Sequence, residues 1–139
     1  MCLGPSWIWG GHLGTIETLK QCVRPGGLIV LGDPYKIKDP EPGYIDMEPE
    51  FAPGLVTHAK NIEIARNAGL TLLYTIVSDT NDWDRHEGLR LRVPELYAEE
   101  NPEDPDAREI LKRQRAEFDS YLRFGRDTVG WPMYQFHAP

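Results

Sequence analysis

The sequence has few cysteines, no excess of positive charge and no long apolar run, and each absence excludes a class of protein. Its 139 residues include two cysteines, Cys2 and Cys22, which are too few for a disulfide framework and show no metal or redox spacing. We expect both thiols to be reduced and the protein to be cytoplasmic. Because 22 Asp and Glu outnumber 15 Lys and Arg, the net charge of −7 argues against a nucleic-acid partner.

The apolar segments are too short for a membrane protein. No stretch reaches about eighteen apolar residues, so no membrane span is predicted. Residues 1–14 lack a basic region and are interrupted by glycine and proline, so no secretory signal is expected. His58, His86 and His137 share no ligand spacing, and no metal site is predicted. The composition is 40% hydrophobic and 27% charged, as in a globular protein, and we expect residues 1–139 to form a single domain.

The most informative segment runs from Cys22 to Gly32. An apolar helix over residues 15–23 is followed by Pro25, which cannot continue a helix, and by two glycines that allow a turn. The apolar run 28–31 then predicts a strand. A continuous apolar strand after a helix is typical of a parallel sheet that is covered on both faces.

The rest of the chain alternates between strands and helices. Cys2 and Leu3 are predicted to end a strand, residues 70–77 form another, and residues 131–136 form the last. Helices are predicted around residues 55–65, over 89–100 and from a capping box at Asp106 to about Gly125. Residues 33–53 contain five prolines and are predicted to be an irregular excursion or lid, and 79–87 a polar loop. This order indicates an α/β fold.

Several motifs resemble one protein family when they are taken in order. The run 22–32 resembles the helix–Pro-Gly-Gly–strand junction of Rossmann-like (class I) S-adenosylmethionine-dependent methyltransferases. The similarity continues through a loop with glycines at 4, 10 and 11, Asp33 with Tyr35, an Asp-Trp-Asp element at 82–84, Asn-Pro-x-Asp-Pro at 101–105, and residues 121–130. Trp7 stands where many relatives of this branch have histidine.

The resemblance implies only the C-terminal half of such an enzyme. The family has seven strands in the order 3-2-1-4-5-7-6 with the seventh antiparallel, and this chain resembles strands four to seven. The first strand, its glycine-rich loop and the first helix, which hold much of the cofactor in the family, have no counterpart here. We therefore expect a partial Rossmann-like sheet with flanking helices that binds S-adenosylmethionine weakly or not at all by itself.

The same resemblance suggests where a site would lie. Asp33 would follow the fifth strand and act as a catalytic carboxylate that orients the substrate and accepts its proton, although an Asp before Pro34 also suits a turn or cap. Backbone contact with the cofactor would come from Cys2, Leu3, Gly4 and Ser6. Substrate contacts would come from Trp7, Trp9, His12, Tyr35 and Trp83. The tryptophans also suit core packing, and His12 a surface or capping position.

Two functions remain open at this point. The first is methyl transfer from S-adenosylmethionine to a small-molecule nucleophile, with this chain as the C-terminal part of the enzyme. The alternative is a non-catalytic remnant or interaction module without the cofactor-binding half. In either case the first strand would have an unpaired edge, so a homodimer formed around residues 1–23 is expected.

Overall fold

The computed structural model describes residues 1–4 and 6–139 and shows a mixed α/β protein. Six strands are present: β1 (Cys2–Leu3), β2 (Gly27–Gly32), β3 (Tyr35–Lys36), β4 (Thr71–Val77), β5 (Val129–Gly130) and β6 (Pro132–Ala138). The main helices are α1 (Gly11–Cys22), α2 (Pro42–Met47), α3 (His58–Asn67), α4 (Thr80–Glu100) and α5 (Pro105–Ser120). Within the described residues, no helix is both long and apolar enough to cross a membrane.

The chain divides into two compact units. The sheet unit comprises Met1–Asp39, Gly54–Ser78 and Val129–Pro139, and the helical unit comprises Pro40–Pro53 and Asp79–Thr128. The sheet unit contains all six strands with α1 and α3, whereas the helical unit contains α2, α4 and α5.

The main sheet has the strand order β1-β2-β6-β4. β1 and β2 are parallel, whereas β6 lies between β2 and β4 and runs antiparallel to both. When β1, β2, β4 and β6 are equated with strands four, five, six and seven, the order is 4-5-7-6 with the last strand antiparallel. The fold class predicted from the sequence is therefore confirmed.

One face of this sheet carries the hydrophobic core of the sheet unit. Ile29 lies opposite Phe136 and Leu31 opposite Tyr134, and all four side chains are almost completely buried. Ile16 of α1 and Ala65 of α3 belong to the same core, so these two helices cover this face. Burial of such side chains contributes roughly 1.5–3 kcal/mol each to folding, before the entropy cost of ordering them.

The opposite face of the sheet is largely exposed, and we call it the open face. The register places on it the side chains that alternate with those of the core: Leu3, Leu28, Val30, Tyr74, Ile76 and Met133. Leu28 is 53% exposed, Tyr74 62% and Ile76 50%. The prediction that β2 is covered on both faces is therefore wrong for this structure, because α1 and α3 pack on the same side.

The junction between α1 and β2 follows the predicted pattern. α1 ends at Cys22, Val23 is extended, and Gly26 adopts a φ of 78°, which an L side chain disfavours. The Gly26 amide donates to the Ala138 carbonyl at 2.7 Å, so the turn is fixed against the end of β6. The turn thereby places the first residue of β2 directly opposite the last residue of β6.

The helical unit corrects the prediction of a polar loop over residues 79–87. Asp79 caps α4: its side chain accepts from the Asp82 amide at 3.0 Å, and the Asp82 carboxylate accepts from the Asp79 amide at 3.1 Å. This reciprocal capping box satisfies two backbone amides and starts the helix at Thr80. Trp83 and Asp84 are therefore helical residues.

Three further boundaries differ from the predictions. α5 begins at Pro105 because the Asp104 side chain accepts from the Asp106 amide and proline suits the first helical position. The capping residue is therefore Asp104, two residues before the predicted cap at Asp106. The excursion over residues 33–53 is not wholly irregular, since it contains β3 and α2. The helical backbone continues past the predicted end near Gly125, through a π-helical turn, Tyr121–Gly125, into a short helix, Arg126–Thr128.

Candidate functional site

A buried polar cluster lies where β2 ends. Asp33 follows the strand directly and is 6% exposed. Its Oδ1 accepts a hydrogen bond from Ser6 Oγ at 2.5 Å, and its Oδ2 lies 2.9 Å from His12 Nδ1. Ser6 begins a short 3-10 turn and His12 lies in the first turn of α1. The carboxylate therefore joins two segments that precede it by more than twenty residues, instead of serving only its own turn.

The His12 ring faces a hydrogen-bond acceptor on each side. Nδ1 faces the Asp33 carboxylate, and Nε2 lies 3.1 Å from the backbone carbonyl oxygen of Asn61. A carbonyl oxygen only accepts hydrogen bonds, so Nε2 is the ring nitrogen that donates to Asn61, and Nδ1 is left facing Asp33. The ring is therefore held between α3 and the Asp33 carboxylate, and it fixes the position of that carboxylate.

A second part of the cluster involves Asn61, Tyr134 and His58, which the sequence did not single out as site residues. Asn61 is almost completely buried, and its amide donates to the Pro34 carbonyl at 3.3 Å. Tyr134 is fully buried, and its hydroxyl lies 3.0 Å from His58 Nδ1. These side chains line the region beside Asp33 from α3 and β6.

Burial sets the protonation of the Tyr134–His58 pair. Burial raises the pKa of Tyr134 to about 12, although its hydrogen bond with Asn61 opposes that rise. Burial also lowers the pKa of His58. Tyr134 therefore keeps its proton at neutral pH, and its hydroxyl donates a hydrogen bond to Nδ1 of a neutral His58. The centroids of the His58 and Tyr35 rings are 5.1 Å apart.

The predicted cofactor residues lie at the same edge of the sheet. Cys2 points into the core and Leu3 onto the open face, so only their backbone is available at the strand end. Gly4 has a φ of 111°, and a β-carbon there would come 3.6 Å from the Trp131 ring. Ser6 is held by Asp33, as described above. Pro5, which the loop motif includes, lies outside the described residues.

The predicted substrate residues fall into two groups. Tyr35 and His12 both contact the polar cluster, through His58 and Asp33 respectively. Trp7 and Trp9 follow Ser6 on the 3-10 turn and are 74% and 48% exposed, so neither is a core residue in this structure. Surface indoles beside a polar cluster are compatible with ligand contact, which stays a prediction.

Trp83 belongs to the helical unit, where a separate polar cluster surrounds Asp84. The Asp84 carboxylate accepts from Tyr121 Oη at 2.6 Å and from Arg126 Nε at 2.9 Å and Nη2 at 3.0 Å. These bonds, first from Arg126 and then from Tyr121, lower the pKa of Asp84. Trp83 stacks near Tyr121 with ring centroids 6.2 Å apart. The hydrogen bonds described for Asp84 all lie within this unit, where they join α4 to the segment 121–126.

The sequence contained some indication of the three missed site residues, His58, Asn61 and Tyr134. Thr57 caps α3 by accepting from the Lys60 amide, and this start places His58 and Asn61 one turn apart on the same helix face. Tyr134 lies at a buried position of β6 between more exposed neighbours. This alternation predicts that its ring belongs to the core, but it does not predict that its hydroxyl takes part in a polar cluster. Within residues 1–4 and 6–139, no group of three His, Cys, Asp or Glu side chains is arranged to hold a metal ion.

Comparison with solved structures gives matches over nearly the whole chain. An S-adenosylmethionine-dependent methyltransferase from Geobacter sulfurreducens, solved with S-adenosyl-L-homocysteine, matches 99% of this chain at 26% identity and a TM-score of 0.88. A methyltransferase from Thiobacillus denitrificans, solved with the same ligand, matches 99% at 28% identity and a TM-score of 0.87. The chain has the fold of the C-terminal half of a class I S-adenosylmethionine-dependent methyltransferase.

This methyltransferase half-fold also occurs in YjhP of Escherichia coli, a curated relative described as an uncharacterized protein. YjhP is 28% identical over 145 aligned residues, and its X-ray structure matches at a TM-score of 0.88. The half-fold spans 56% of the curated relative and 56% of the Geobacter and Thiobacillus proteins. No family model matches the chain.

Proposed function

We propose that this chain supplies the C-terminal, acceptor-side part of an enzyme that transfers a methyl group from S-adenosylmethionine to a small-molecule nucleophile. The observation that carries the proposal is the match, over 99% of the chain, to two methyltransferases solved with S-adenosyl-L-homocysteine. Because the chain covers about half of those proteins, the activity belongs to a complete fold to which this chain contributes one part.

The position of the polar cluster supports a ligand site. In open α/β sheets, ligands bind beyond the carboxyl ends of the parallel strands. Asp33 lies directly after β2, and Ser6 lies shortly after β1, which is the strand parallel to it. A buried carboxylate is costly unless it is hydrogen-bonded or used, and here it is held in one position by two partners.

Asp33 has a chemical role that follows from this arrangement. Methyl transfer to an amine or hydroxyl releases one proton from the acceptor, and catalysis depends mainly on aligning the acceptor with the methyl group. Each carboxylate oxygen of Asp33 keeps a lone pair beyond its bond to Ser6 or His12. We assign Asp33 to orienting the acceptor and receiving its proton, and His12 to holding Asp33 in place.

The residues present fit one side of an S-adenosylmethionine site. The backbone at the end of β1 reaches Gly4, whose positive φ turns the chain away from the strand end. Exposed indoles at Trp7 and Trp9 offer faces that attract a cation such as a sulfonium. When bound, the cofactor supplies an activated methyl group. This half-fold contributes only some of the residues that would surround bound S-adenosylmethionine.

A chimera tests the proposal. The part of YjhP that has no counterpart in this chain is fused ahead of Met1, and S-adenosyl-L-homocysteine is titrated calorimetrically into the chimera and into the chain alone. We expect binding by the chimera and weak or no binding by the chain alone. A folded chimera that binds no ligand would favour the interaction-module alternative, and low-micromolar binding by the chain alone would contradict the inference that contacts are missing.

A further inference from the structure

We propose that the hairpin formed by α4 and α5 is a dimerisation surface, on which two copies of this chain pack antiparallel about a twofold axis. The contact lies along an apolar groove between the two helices, and the charges along the hairpin set the antiparallel direction. This inference goes beyond the proposed function, because it concerns assembly and not methyl transfer. It also moves the expected homodimer contact away from residues 1–23.

The two helices are antiparallel neighbours with a groove between them. Arg90, near the start of α4, donates to Glu117, near the end of α5, at 2.5 Å. Farther along the hairpin, the Arg115 guanidinium makes two hydrogen bonds of 2.7 Å to the Glu95 carboxylate. The groove has a volume of about 630 Å³, and apolar atoms form nearly all of its wall. It belongs entirely to the helical unit.

Large apolar side chains of the groove are exposed. Val93 is 66% exposed, Leu89 51%, Tyr97 49% and Ile110 46%. The three residues of α4 follow one another at intervals of four, so they form one stripe along the helix. Only Glu87 is buried among the 21 residues of α4. Because helices in proteins gain most of their stability by packing an apolar face, this exposed stripe indicates an interaction surface.

Charge divides the hairpin into an acidic end and a basic end. The acidic end, residues 95–109, contains seven Asp and Glu and a single Arg. The basic end, residues 85–94 and 110–118, contains six Lys and Arg and two Glu. Both of those Glu side chains are hydrogen-bonded to Arg90. The acidic end of one hairpin therefore attracts the basic end of an identical hairpin that runs in the opposite direction.

A twofold axis at Val93 satisfies both features of the hairpin. Leu89 and Tyr97 each lie about 6 Å from Val93 along the helix axis, in opposite directions. A twofold-related copy therefore sets Leu89 against the partner's Tyr97 and Tyr97 against the partner's Leu89. The same operation brings each acidic end beside the basic end of the other copy, whereas a parallel arrangement would bring like charges together. A second copy of this chain thus matches the groove in apolar contacts and in charge.

A charge exchange between the two ends tests this surface. Glu100 lies two turns after Val93 on the same face of α4, and Glu103 follows it at the acidic end, whereas Arg85 and Arg113 belong to the basic end. Glu100→Lys/Glu103→Lys and Arg85→Glu/Arg113→Glu each bring like charges together in a homodimer. We expect sedimentation velocity to show a wild-type dimer and homodimers of both variants that are at least about tenfold weaker. Mixing the two variants should restore wild-type affinity, since opposite charges then meet at both contacts.

Glu17→Lys/Glu50→Lys is the matched control. It changes the net charge by the same amount as Glu100→Lys/Glu103→Lys, at two exposed carboxylates outside the hairpin. Glu17 lies within residues 1–23, so this variant also probes the contact that the sequence predicts. We expect the control to dimerise like the wild type. Circular dichroism verifies that every variant is folded, and recovery on mixing requires the two hairpin variants to be folded as well.

Four results would overturn the proposal. A wild-type chain that stays monomeric throughout the micromolar range would leave the groove without a second copy. Weakening by Glu17→Lys/Glu50→Lys alone would assign the contact to residues 1–23. Weakening by both hairpin variants without recovery on mixing would remove the antiparallel charge match. A dimeric chain with a monomeric YjhP chimera would show that the rest of a complete fold covers the groove. Dimerisation of both proteins with recovery on mixing would support the proposal, whether or not S-adenosyl-L-homocysteine binds.

Discussion

At the scale of single residues, Asp33 is the most consequential side chain of the candidate site. Asp33→Asn replaces one accepting oxygen by an NH₂ group that faces the Ser6 hydroxyl or the His12 ring. Leaving a buried donor unsatisfied costs about 1–3 kcal/mol, so we expect a loss of that size in the free energy of unfolding. Chemical denaturation measures it. Asp39→Asn, at an exposed carboxylate paired with Lys36, is the control and should change stability by less than about 0.5 kcal/mol.

The same variant also addresses catalysis. If Asp33 receives a proton from the acceptor, turnover by a complete enzyme should fall in Asp33→Asn by more than the loss of folded protein accounts for. His12→Asn removes the imidazole that positions Asp33 but keeps the carboxylate itself. Turnover by the His12→Asn enzyme should therefore fall less than turnover by Asp33→Asn. Equal losses in stability and turnover for Asp33→Asn would favour a purely structural role for the carboxylate.

His58 provides a prediction about pH. Because burial lowers its pKa in the folded state, the unfolded chain binds more protons than the folded chain near pH 6. This contribution to stability is complete above the unfolded pKa of about 6.5 and is lost as the pH falls toward the lower folded pKa. We expect the melting temperature of His58→Gln to fall less between pH 7 and pH 5 than that of the wild type. A wild-type slope in His58→Gln would show that this ring does not cause the pH dependence.

At the scale of elements, the sequence predicted a boundary when the residues at that boundary restrict the backbone by themselves, and it failed when the boundary depends on contacts between residues. The turn at Pro25 and Gly26 was predictable because both residues restrict the backbone locally. The start of α4 was missed because Asp79 and Asp82 satisfy each other's backbone amides, and this reciprocal geometry is harder to recognise when both residues are aspartate. The Asp33 contacts with Ser6 and His12 could not be predicted, since they depend on how α1 packs against the sheet.

The capping box at Asp79 should slow amide hydrogen exchange in the first turn of α4. Asp79→Ala removes the side chain that accepts from the Asp82 amide, and the loss of such a cap typically costs about 1 kcal/mol. Amide exchange at the first turn of α4 should accelerate accordingly. Asn81→Ala, in the same turn, retains the box and serves as the control. Unchanged exchange in Asp79→Ala would mean that other contacts fix the start of α4.

At the scale of the whole molecule, strand order was predictable but coverage of the sheet was not. The resemblance to class I methyltransferases implied the order four-five-seven-six, which β1, β2, β6 and β4 reproduce, whereas the local patterns predicted only the alternation of strands and helices. The exposure of Leu28 and Ile76 could not be read from the sequence, because an apolar strand looks the same whether its second face is covered or bare. The residues that surround Asp33 likewise come from segments distant in sequence.

The two units should differ in local stability. In the sheet unit, Leu31, Tyr134 and Phe136 are completely buried at paired positions of β2 and β6, whereas α4 contains one buried residue, Glu87, among its 21. Local opening requires less free energy where few apolar side chains are buried. We therefore expect the amides of β2 and β6 to show the slowest hydrogen exchange and those of α4 and α5 to exchange faster.

A core substitution distinguishes separate units from one cooperative structure. Ile29→Ala removes a buried side chain from the centre of β2 and should destabilise the sheet unit by about 2–5 kcal/mol. If the units open separately, exchange should accelerate in β2 and β6 while α4 and α5 keep their wild-type rates. Ile110→Ala, at an exposed position of α5, should leave β2 and β6 unchanged. Equal acceleration of every element in Ile29→Ala would show that the sheet unit and the helical unit unfold together.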